Sequence, residues 1–171
     1  MRSVHAGADK LLARKVSATT AARLTVTSPD FADGAPLPIS CTVDGAGTPP
    51  ALQWAAPPTA TQSLVVVCED PDAPLPEPFV HWIVYGIPPA ARTIDASVIA
   101  RYGQGQNSKL ANAFAPPSPP PGHGVHHYHF QVFALDAPFD GEASVGRRTL
   151  VNRLKGHVLA WGEIVGTYER P

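Results

Sequence analysis

Apolar runs and short alternating segments dominate the chain and predict β-strands. The run at residues 63–68 is rich in valine, which is typical of a central strand buried on both faces. Two further strands are predicted at residues 79–85 and 126–135. Shorter segments at residues 24–27 and 52–54 fit strands between turn signals rich in glycine, proline and aspartate.

One segment near the C-terminus has a helical period. Its apolar residues recur three or four positions apart and are Leu150, Leu154, Val158 and Trp161. Ser144 is placed to cap the start of this helix, and Gly162 is placed to end it. A short closing strand is predicted at residues 164–168.

A run of strands followed by one late helix favours a mainly β domain, with two antiparallel sheets packed as a sandwich. With 171 residues and 44% hydrophobic composition, the chain is long enough for one buried core. Residues 1–22 carry no strong period. We interpret them as an N-terminal extension or a short docking helix that precedes a β domain over residues 23–171.

Charge is distributed unevenly, although the net charge is only −1. Residues 24–146 contain three bases, Arg92, Arg101 and Lys109, and many more acids, whereas the remaining bases lie near the two termini. A nucleic-acid-binding protein needs a dense basic face. Because these bases are few and divided between the termini, the sequence favours a solvated surface and predicts no nucleic-acid partner.

The sequence also predicts the compartment. No apolar run approaches the roughly 20 residues of a membrane span, and the N-terminus lacks the apolar core of a signal peptide. We therefore expect a cytoplasmic protein without an integral membrane segment. Cys41 and Cys68, the two cysteines, are expected to be reduced.

Four of the seven histidines lie in residues 123–129, at the start of a predicted strand. Strand alternation places His126 and Tyr128 on one face, which becomes apolar further along. His127 and His129 belong to the other face, where a polar strand end at the surface explains them. The candidates for a binding site are therefore His126 and Tyr128.

A proline-bounded turn, Asp-Pro-Asp-Ala-Pro at residues 70–74, follows the valine-rich strand. Asp70 and Asp72 are expected to point the same way in this stiff turn. A cis Ala73–Pro74 bond would fix the carboxylates further, although only about 5% of such bonds in folded proteins are cis. Taken alone, the turn would also fit a surface loop with solvated acids.

His81 opens the next predicted strand. A lone histidine in a strand usually has a structural role, but a neighbouring carboxylate would orient this imidazole and favour its charged form. A charged imidazole is a good donor to phosphate. We therefore interpret residues 70–74, His81 and the strand end at residues 126–128 as one small anion-binding pocket.

Several short motifs occur in a fixed order between about Leu24 and Tyr168. They are Thr27-Ser-Pro29, Asp33-Gly34, Asp44-Gly45, Pro49-Pro50, Leu52-Gln-Trp54, Asp70-Pro-Asp-Ala-Pro74, His81-Trp82, Gly122-His-Gly124, Gly156-His-Val-Leu-Ala160 and Gly166-Thr-Tyr168. In these motifs the sequence resembles the bacterial phosphatidylethanolamine-binding proteins, the Raf-kinase-inhibitor-like branch. It departs from them at His127, where many relatives have arginine, and at Pro116, where bacterial members often have glycine.

The resemblance implies a Greek-key sandwich with a pocket for phosphate or a phosphoryl headgroup near one end. The residues that it places in the pocket are Asp70, Asp72, His81, Pro120, His126 and Tyr128. We expect His81, Tyr128 and the backbone amides of residues 122–124 to donate to the anion, and Asp70 to orient a histidine. Gly122 and Gly124 would allow the backbone to approach closely. We expect no cofactor and no catalytic residue.

Other interpretations use the same residues. Asp70, Asp72, His81 and His126 would form a plausible metal shell, although no metal-motif spacing supports it. A hydrolase would need a nucleophile such as Cys68, which lies inside a valine-rich strand, and the usual hydrolase motifs are missing. The resemblance also implies a possible role as an inhibitor of a kinase or protease, and a possible homodimer.

Overall fold

The structure is a computed structural model and describes residues 5–140 and 144–171. Within these ranges the strands are β1 (Ala22–Arg23), β2 (Val26–Thr27), β3 (Leu52–Trp54), β4 (Ser63–Asp70), β5 (Phe79–Ile87), β6 (Thr93–Ile94), β7 (Gly103–Gln104), β8 (His126–Leu135) and β9 (Val158–Tyr168). The α-helices are α1 (Leu12–Val16) and α2 (Arg147–Leu154). Short 3-10 helices occur at Ala8–Lys10, Ile39–Cys41 and Ile99–Arg101.

The strands form two sheets, which confirms the predicted mainly β fold. The large sheet has the order β1-β9-β8-β4-β5-β7, and the small sheet has the order β2-β3-β6. Strand β4 pairs antiparallel with both β5 and β8, and all eight of its residues are buried. Central position in the sheet explains its continuous apolar run. The edge strand β1 pairs parallel to β9.

The two faces of the large sheet bury separate cores. Along β8, Tyr128, Phe130 and Val132 face the core shared with the small sheet. Phe133 and Leu135 face the second core, which is covered by the two helices. This alternation is the one that the sequence predicts for β8.

Helix α2 is shorter than the sequence predicts. It ends at Leu154, and Gly156 follows with a φ of 84°, a left-handed conformation that breaks a helix. Val158 and Trp161 therefore lie on β9, which is longer than the predicted closing strand. Gly146, rather than Ser144, occupies the N-cap position. The predicted helix over Val158 and Trp161 is wrong because strand pairing with β8 overrides the local apolar spacing.

Gly162 lies inside β9 and does not end a helix. A Cβ atom at this position would collide with the carbonyl oxygen of Leu24. The backbone amide of Leu24 donates to the carbonyl of Trp161, at 2.8 Å, which holds the two segments together. Glycine is needed here because two backbones approach closely.

Residues near the N-terminus pack on the domain. Leu12, Ala13 and Val16 of α1 are buried in the helix-side core, together with Leu150 and Leu154 of α2. Such burial contributes about 1.5–3 kcal/mol for each large aliphatic side chain. The domain boundary at residues 22 and 23 stays a prediction.

Two expectations about the chain as a whole concern its cysteines and its membrane topology. Cys41 and Cys68 are both buried, and neither forms a disulfide. Among the described residues, no helix is long and apolar enough to cross a membrane.

Candidate functional site

Three strand ends and one long loop surround a cavity at one end of the large sheet. Pairing aligns Asp70 with Phe79 and Glu69 with His129, so the end of β4 meets the starts of β5 and β8. The cavity has a volume of about 270 Å³. We call it the strand-end cavity, and it is lined by Asp70, Ala73, Pro74, Leu75, Phe79, His81, Lys109, Pro116, Ser118, Pro119, Pro120, His126 and Tyr128.

Five of the predicted site residues line the strand-end cavity. They are Asp70, His81, Pro120, His126 and Tyr128. Asp72, Gly122 and Gly124 are not among the lining residues. Register within the sheet brings Asp70, His81, His126 and Tyr128 together, and the loop that precedes β8 adds Pro120.

Asp70 is 3% exposed and begins a chain of hydrogen bonds. Its Oδ2 accepts from Nδ1 of His126 at 2.7 Å, and its Oδ1 accepts from the backbone amide of Asp72 at 2.8 Å. Nε2 of His126 lies 2.7 Å from Nδ1 of His123. With Nδ1 of His126 donating to Asp70, a neutral His126 accepts from His123. Asp70 thus orients His126, and both ring nitrogens of His126 are engaged.

His81 is held as a neutral ring. Its Nδ1 donates to the carbonyl of Ala115 at 2.7 Å, and its ring packs against Phe79 and Tyr128, with centroids at 4.6 and 5.1 Å. Burial lowers the pKa of His81 to about 4, although the Ala115 carbonyl and Asp70 act in the opposite direction. Asp70 does favour the charged form, as predicted, but desolvation outweighs this attraction, so the prediction that a charged His81 donates to the anion is wrong. With Nδ1 donating, Nε2 of the neutral ring is an acceptor.

Tyr128 supplies a donor. Its side chain is almost fully buried and lines the strand-end cavity. Burial raises the pKa of Tyr128, so the hydroxyl keeps its proton. This hydroxyl forms no hydrogen bond with any other residue that the structure describes. It can therefore donate to a bound ligand.

Lys109 also lines the strand-end cavity, and the sequence did not identify it as a site residue. Asn107, which is buried, shapes the loop that carries it. Oδ1 of Asn107 accepts from the backbone amide of Lys109 at 2.9 Å, and its Nδ2 donates to the carbonyl of Ala113 at 2.8 Å. The signal in the sequence was the scarcity of bases between residues 24 and 146.

Asp72 points away from Asp70. Its Oδ2 accepts from the backbone amide of His127 at 2.8 Å and lies 2.8 Å from Nδ1 of the same residue. His126 and His127 are on opposite faces of β8, so the two aspartates diverge. The prediction that they point the same way is wrong. The Ala73–Pro74 bond is trans, so the proposal of a cis bond is also wrong.

The glycine-rich segment beside the cavity differs from the prediction. The backbone amide of Gly122 donates to the carbonyl of Arg170 at 3.0 Å. The backbone amide of His123 donates to the carbonyl of Pro120 at 3.1 Å. These two amides therefore do not serve as anion donors. Gly122 and Gly124 have φ values of 73° and 88°, and a Cβ on either would meet no atom within 4 Å. Their backbone conformation, rather than a close approach, favours glycine.

A comparison of sequences identifies the family of this chain. The family model of the phosphatidylethanolamine-binding proteins matches residues 27–169. The chain belongs to this family. One curated relative, a UPF0098 protein from Pyrococcus horikoshii, is 37% identical over 143 residues, which cover 78% of this chain and 71% of the relative. Another UPF0098 protein, from Mycobacterium tuberculosis, is 40% identical over 149 residues, which cover 85% of this chain and 70% of the relative.

Solved structures of the family have the same fold. A phosphatidylethanolamine-binding protein homologue from Chlamydia trachomatis matches with a TM-score of 0.81 and 32% identity, over 87% of this chain and 99% of the other. YbcL from E. coli, described as a member of the mammalian family, matches with a TM-score of 0.80 and 28% identity, over 88% and 100%. The family fold thus extends over nearly all of both neighbours.

A buried acid lies next to Asp70, at the end of β4 that borders the strand-end cavity. Glu69 is 0% exposed and precedes Asp70 on β4. Its carboxylate accepts from Nε of Arg147 at 2.6 Å, from Nε2 of Gln131 at 2.9 Å and from the backbone amide of Leu12 at 2.7 Å. These bonds attach both helices to the end of β4. Sequence patterns did not reveal this network, because Glu69 looked like the polar end of a strand.

The metal and hydrolase interpretations can be compared with this geometry. Among the described residues, no group of three or more His, Cys, Asp or Glu side chains is arranged to hold a metal ion. Cys68 faces the core between the sheets, and burial raises the pKa of its thiol well above the ordinary value. A buried thiol that keeps its proton is a poor nucleophile.

Proposed function

We propose that this protein binds phosphate or a phosphoryl headgroup in the strand-end cavity and catalyses no reaction on it. The observation that carries the proposal is the convergence of Lys109 and the unpartnered Tyr128 hydroxyl on one cavity. An ammonium group and a neutral hydroxyl are suitable donors to a phosphoryl oxygen. The name of the family, phosphatidylethanolamine-binding protein, agrees with a ligand of this kind.

Each lining group has a distinct part in this proposal. Lys109 supplies positive charge, and Tyr128 donates a hydrogen bond. Nε2 of His81 accepts a hydrogen bond from the ligand, either from a protonated phosphate oxygen or from the ammonium group of an ethanolamine headgroup. Asp70 is committed to His126, which limits its repulsion of the anion without removing it. Affinity for simple phosphate should therefore be modest.

The size of the cavity restricts the ligand. Sites for drug-sized molecules have volumes of about 300–1,000 Å³. The strand-end cavity, at about 270 Å³, lies just below that range and suits one headgroup rather than a whole phospholipid. The prolines that line it, Pro74, Pro116, Pro119 and Pro120, limit backbone rearrangement on binding.

Calorimetric titration with phosphoethanolamine tests the proposal. Tyr128→Phe removes only the hydroxyl, and Lys109→Gln removes only the charge. Each should weaken binding about fivefold, which corresponds to roughly 1 kcal/mol for one hydrogen bond or one exposed charge. Arg92→Gln, which removes an exposed charge outside the cavity, should leave the affinity unchanged. Unchanged affinity in both cavity variants would refute the assignment.

A further inference from the structure

The side chain of His81 presents a hydrogen-bond acceptor, rather than a donor, to the strand-end cavity. Its Nδ1 lies 2.7 Å from the carbonyl oxygen of Ala115, and because a carbonyl can only accept, Nδ1 carries the ring proton. Nε2 of the neutral ring is therefore an acceptor. This atom has no hydrogen-bond partner among the described residues, and it is not sealed from solvent. Because His81 lines the cavity, its Nε2 is available to a ligand there.

The surroundings of His81 favour its neutral form. The residue is 5% exposed, and the titratable groups that face it belong to Asp70, Lys109, His126 and Tyr128. Neither carboxylate oxygen of Asp70 is bonded to His81, because one accepts from His126 and the other accepts from a backbone amide. The ammonium group of Lys109 opposes a second positive charge. Burial without a bonded counter-ion thus leaves the ring uncharged.

A neutral acceptor restricts which anions fit the cavity. Water can donate to Nε2 in the unliganded protein, and a ligand that displaces this water must replace its hydrogen bond. An anionic oxygen without a proton cannot do so, because it is itself an acceptor. A phosphate monoester, whose second pKa is about 6, keeps a proton on one oxygen at mildly acidic pH. Sulfate esters and phosphate diesters have no such proton.

We propose that the strand-end cavity selects phosphate monoesters in their singly protonated form, and that His81 is the residue that discriminates. The protonated oxygen donates to Nε2 of His81, while the other oxygens accept from the Tyr128 hydroxyl and the Lys109 ammonium. This inference rests on the proposed function and adds the class of ligand. Lys109 is exposed, so its preference for a doubly charged ligand is weak. A purely structural His81 would explain the bond to Ala115 but would not discriminate between anions.

Methyl phosphate and methyl sulfate are matched probes for calorimetric titration of the full chain. At pH 5.5 both carry about one negative charge, and they differ by one proton, so the charged groups of the protein act alike on both. Wild type should bind methyl phosphate about tenfold more tightly, since methyl sulfate leaves the buried acceptor unpaired. At pH 8.0 methyl phosphate has lost this proton, and the ratio of the two affinities should approach one.

Two variants separate specificity from binding. His81→Asn keeps a donor for the Ala115 carbonyl but removes Nε2, so the preference for methyl phosphate at pH 5.5 should disappear. Tyr128→Phe is the matched control, which should weaken both esters alike and keep their ratio. Equal affinity of wild type for the two esters at pH 5.5, or a preference that survives His81→Asn, would overturn the inference and leave anion binding in the cavity intact. If wild type binds neither ester, the proposed function fails as well.

Discussion

Individual side chains in the strand-end cavity have roles that their burial decides. His81 is surrounded by Phe79, Tyr128 and the Ala115 carbonyl, so its neutral form is favoured. His126 is oriented by Asp70 instead. The two histidines of the cavity therefore have different partners, since His81 packs against aromatic rings and His126 is hydrogen-bonded to a carboxylate.

The buried His81 predicts a pH dependence of stability. Burial lowers its pKa to about 4, whereas the unfolded chain has an ordinary pKa near 6.5. Between these values the unfolded chain binds a proton that the folded chain does not, so the free energy of unfolding falls as the pH is lowered. The loss begins near pH 6.5, is complete near pH 4, and amounts to about 3 kcal/mol. Above pH 6.5 this histidine contributes no pH dependence.

Urea denaturation at pH 7.0 and pH 4.5 checks this expectation with His81→Asn. The asparagine amide can still donate to the Ala115 carbonyl but does not titrate. The variant should be less stable than wild type at pH 7.0, because ring contacts are lost, and the difference should shrink by about 2 kcal/mol or more at pH 4.5. A difference that is the same at both pH values would show that His81 is not buried as a neutral ring.

At the scale of elements, Glu69 joins β4 to both helices. Its carboxylate accepts hydrogen bonds from the side chain of Arg147, the first residue of α2, and from the backbone amide of Leu12, the first residue of α1. Gln131 of β8 also donates to it, and Oε1 of Gln131 accepts from the amide of Ala13. The helices therefore help to fix the strand end that carries Asp70.

Removing one partner of the ion pair between Arg147 and Glu69 should destabilise the protein. Arg147→Met leaves the Glu69 carboxylate buried without its cation, which is expected to reduce the free energy of unfolding by about 3 kcal/mol or more. Adding Glu69→Gln in the same chain removes the unpaired charge and should recover part of the loss. Chemical denaturation of both single variants and the double variant measures this coupling. A double variant no more stable than Arg147→Met would contradict the ionic role of Glu69.

The sequence predicted some elements well and others poorly for physical reasons. Strands β4 and β8 were predictable because burial on both faces produces long apolar runs. The boundary between α2 and β9 was not predictable, since the spacing of Val158 and Trp161 fits a helix as well as a strand. Local spacing cannot reveal that β9 pairs along the whole of β8.

Some residues of the candidate site were also predictable from the sequence, and others were not. The motif and strand alternation predicted that Asp70 and His126 lie close together, and both line the cavity, while their part in ligand binding stays a prediction. The contacts of Asp72 and His127 were missed, because side-chain direction in a turn depends on the neighbouring strand. Lys109 was missed as well, since only the folded loop around Asn107 brings it to the cavity.

At the scale of the whole molecule, the acidic middle of the sequence and its basic ends lie in different parts of the fold. The acidic middle of the chain forms all strands except β1 and β9 and carries the strand-end cavity. The basic termini meet on the helix-covered face, where α1 and α2 share a core. Bases that are divided in the sequence are thus neighbours in space, which the sequence alone did not show.

A crystal structure of the protein saturated with phosphoethanolamine would show directly whether the strand-end cavity is the binding site. We expect a phosphoryl group in this cavity, with its oxygens within hydrogen-bond distance of the Tyr128 hydroxyl and the Lys109 ammonium. We also expect Nδ1 of His126 to keep its hydrogen bond to Asp70. A strand-end cavity that stays empty at saturating ligand, or a phosphoryl group that contacts neither Tyr128 nor Lys109, would contradict the proposed function.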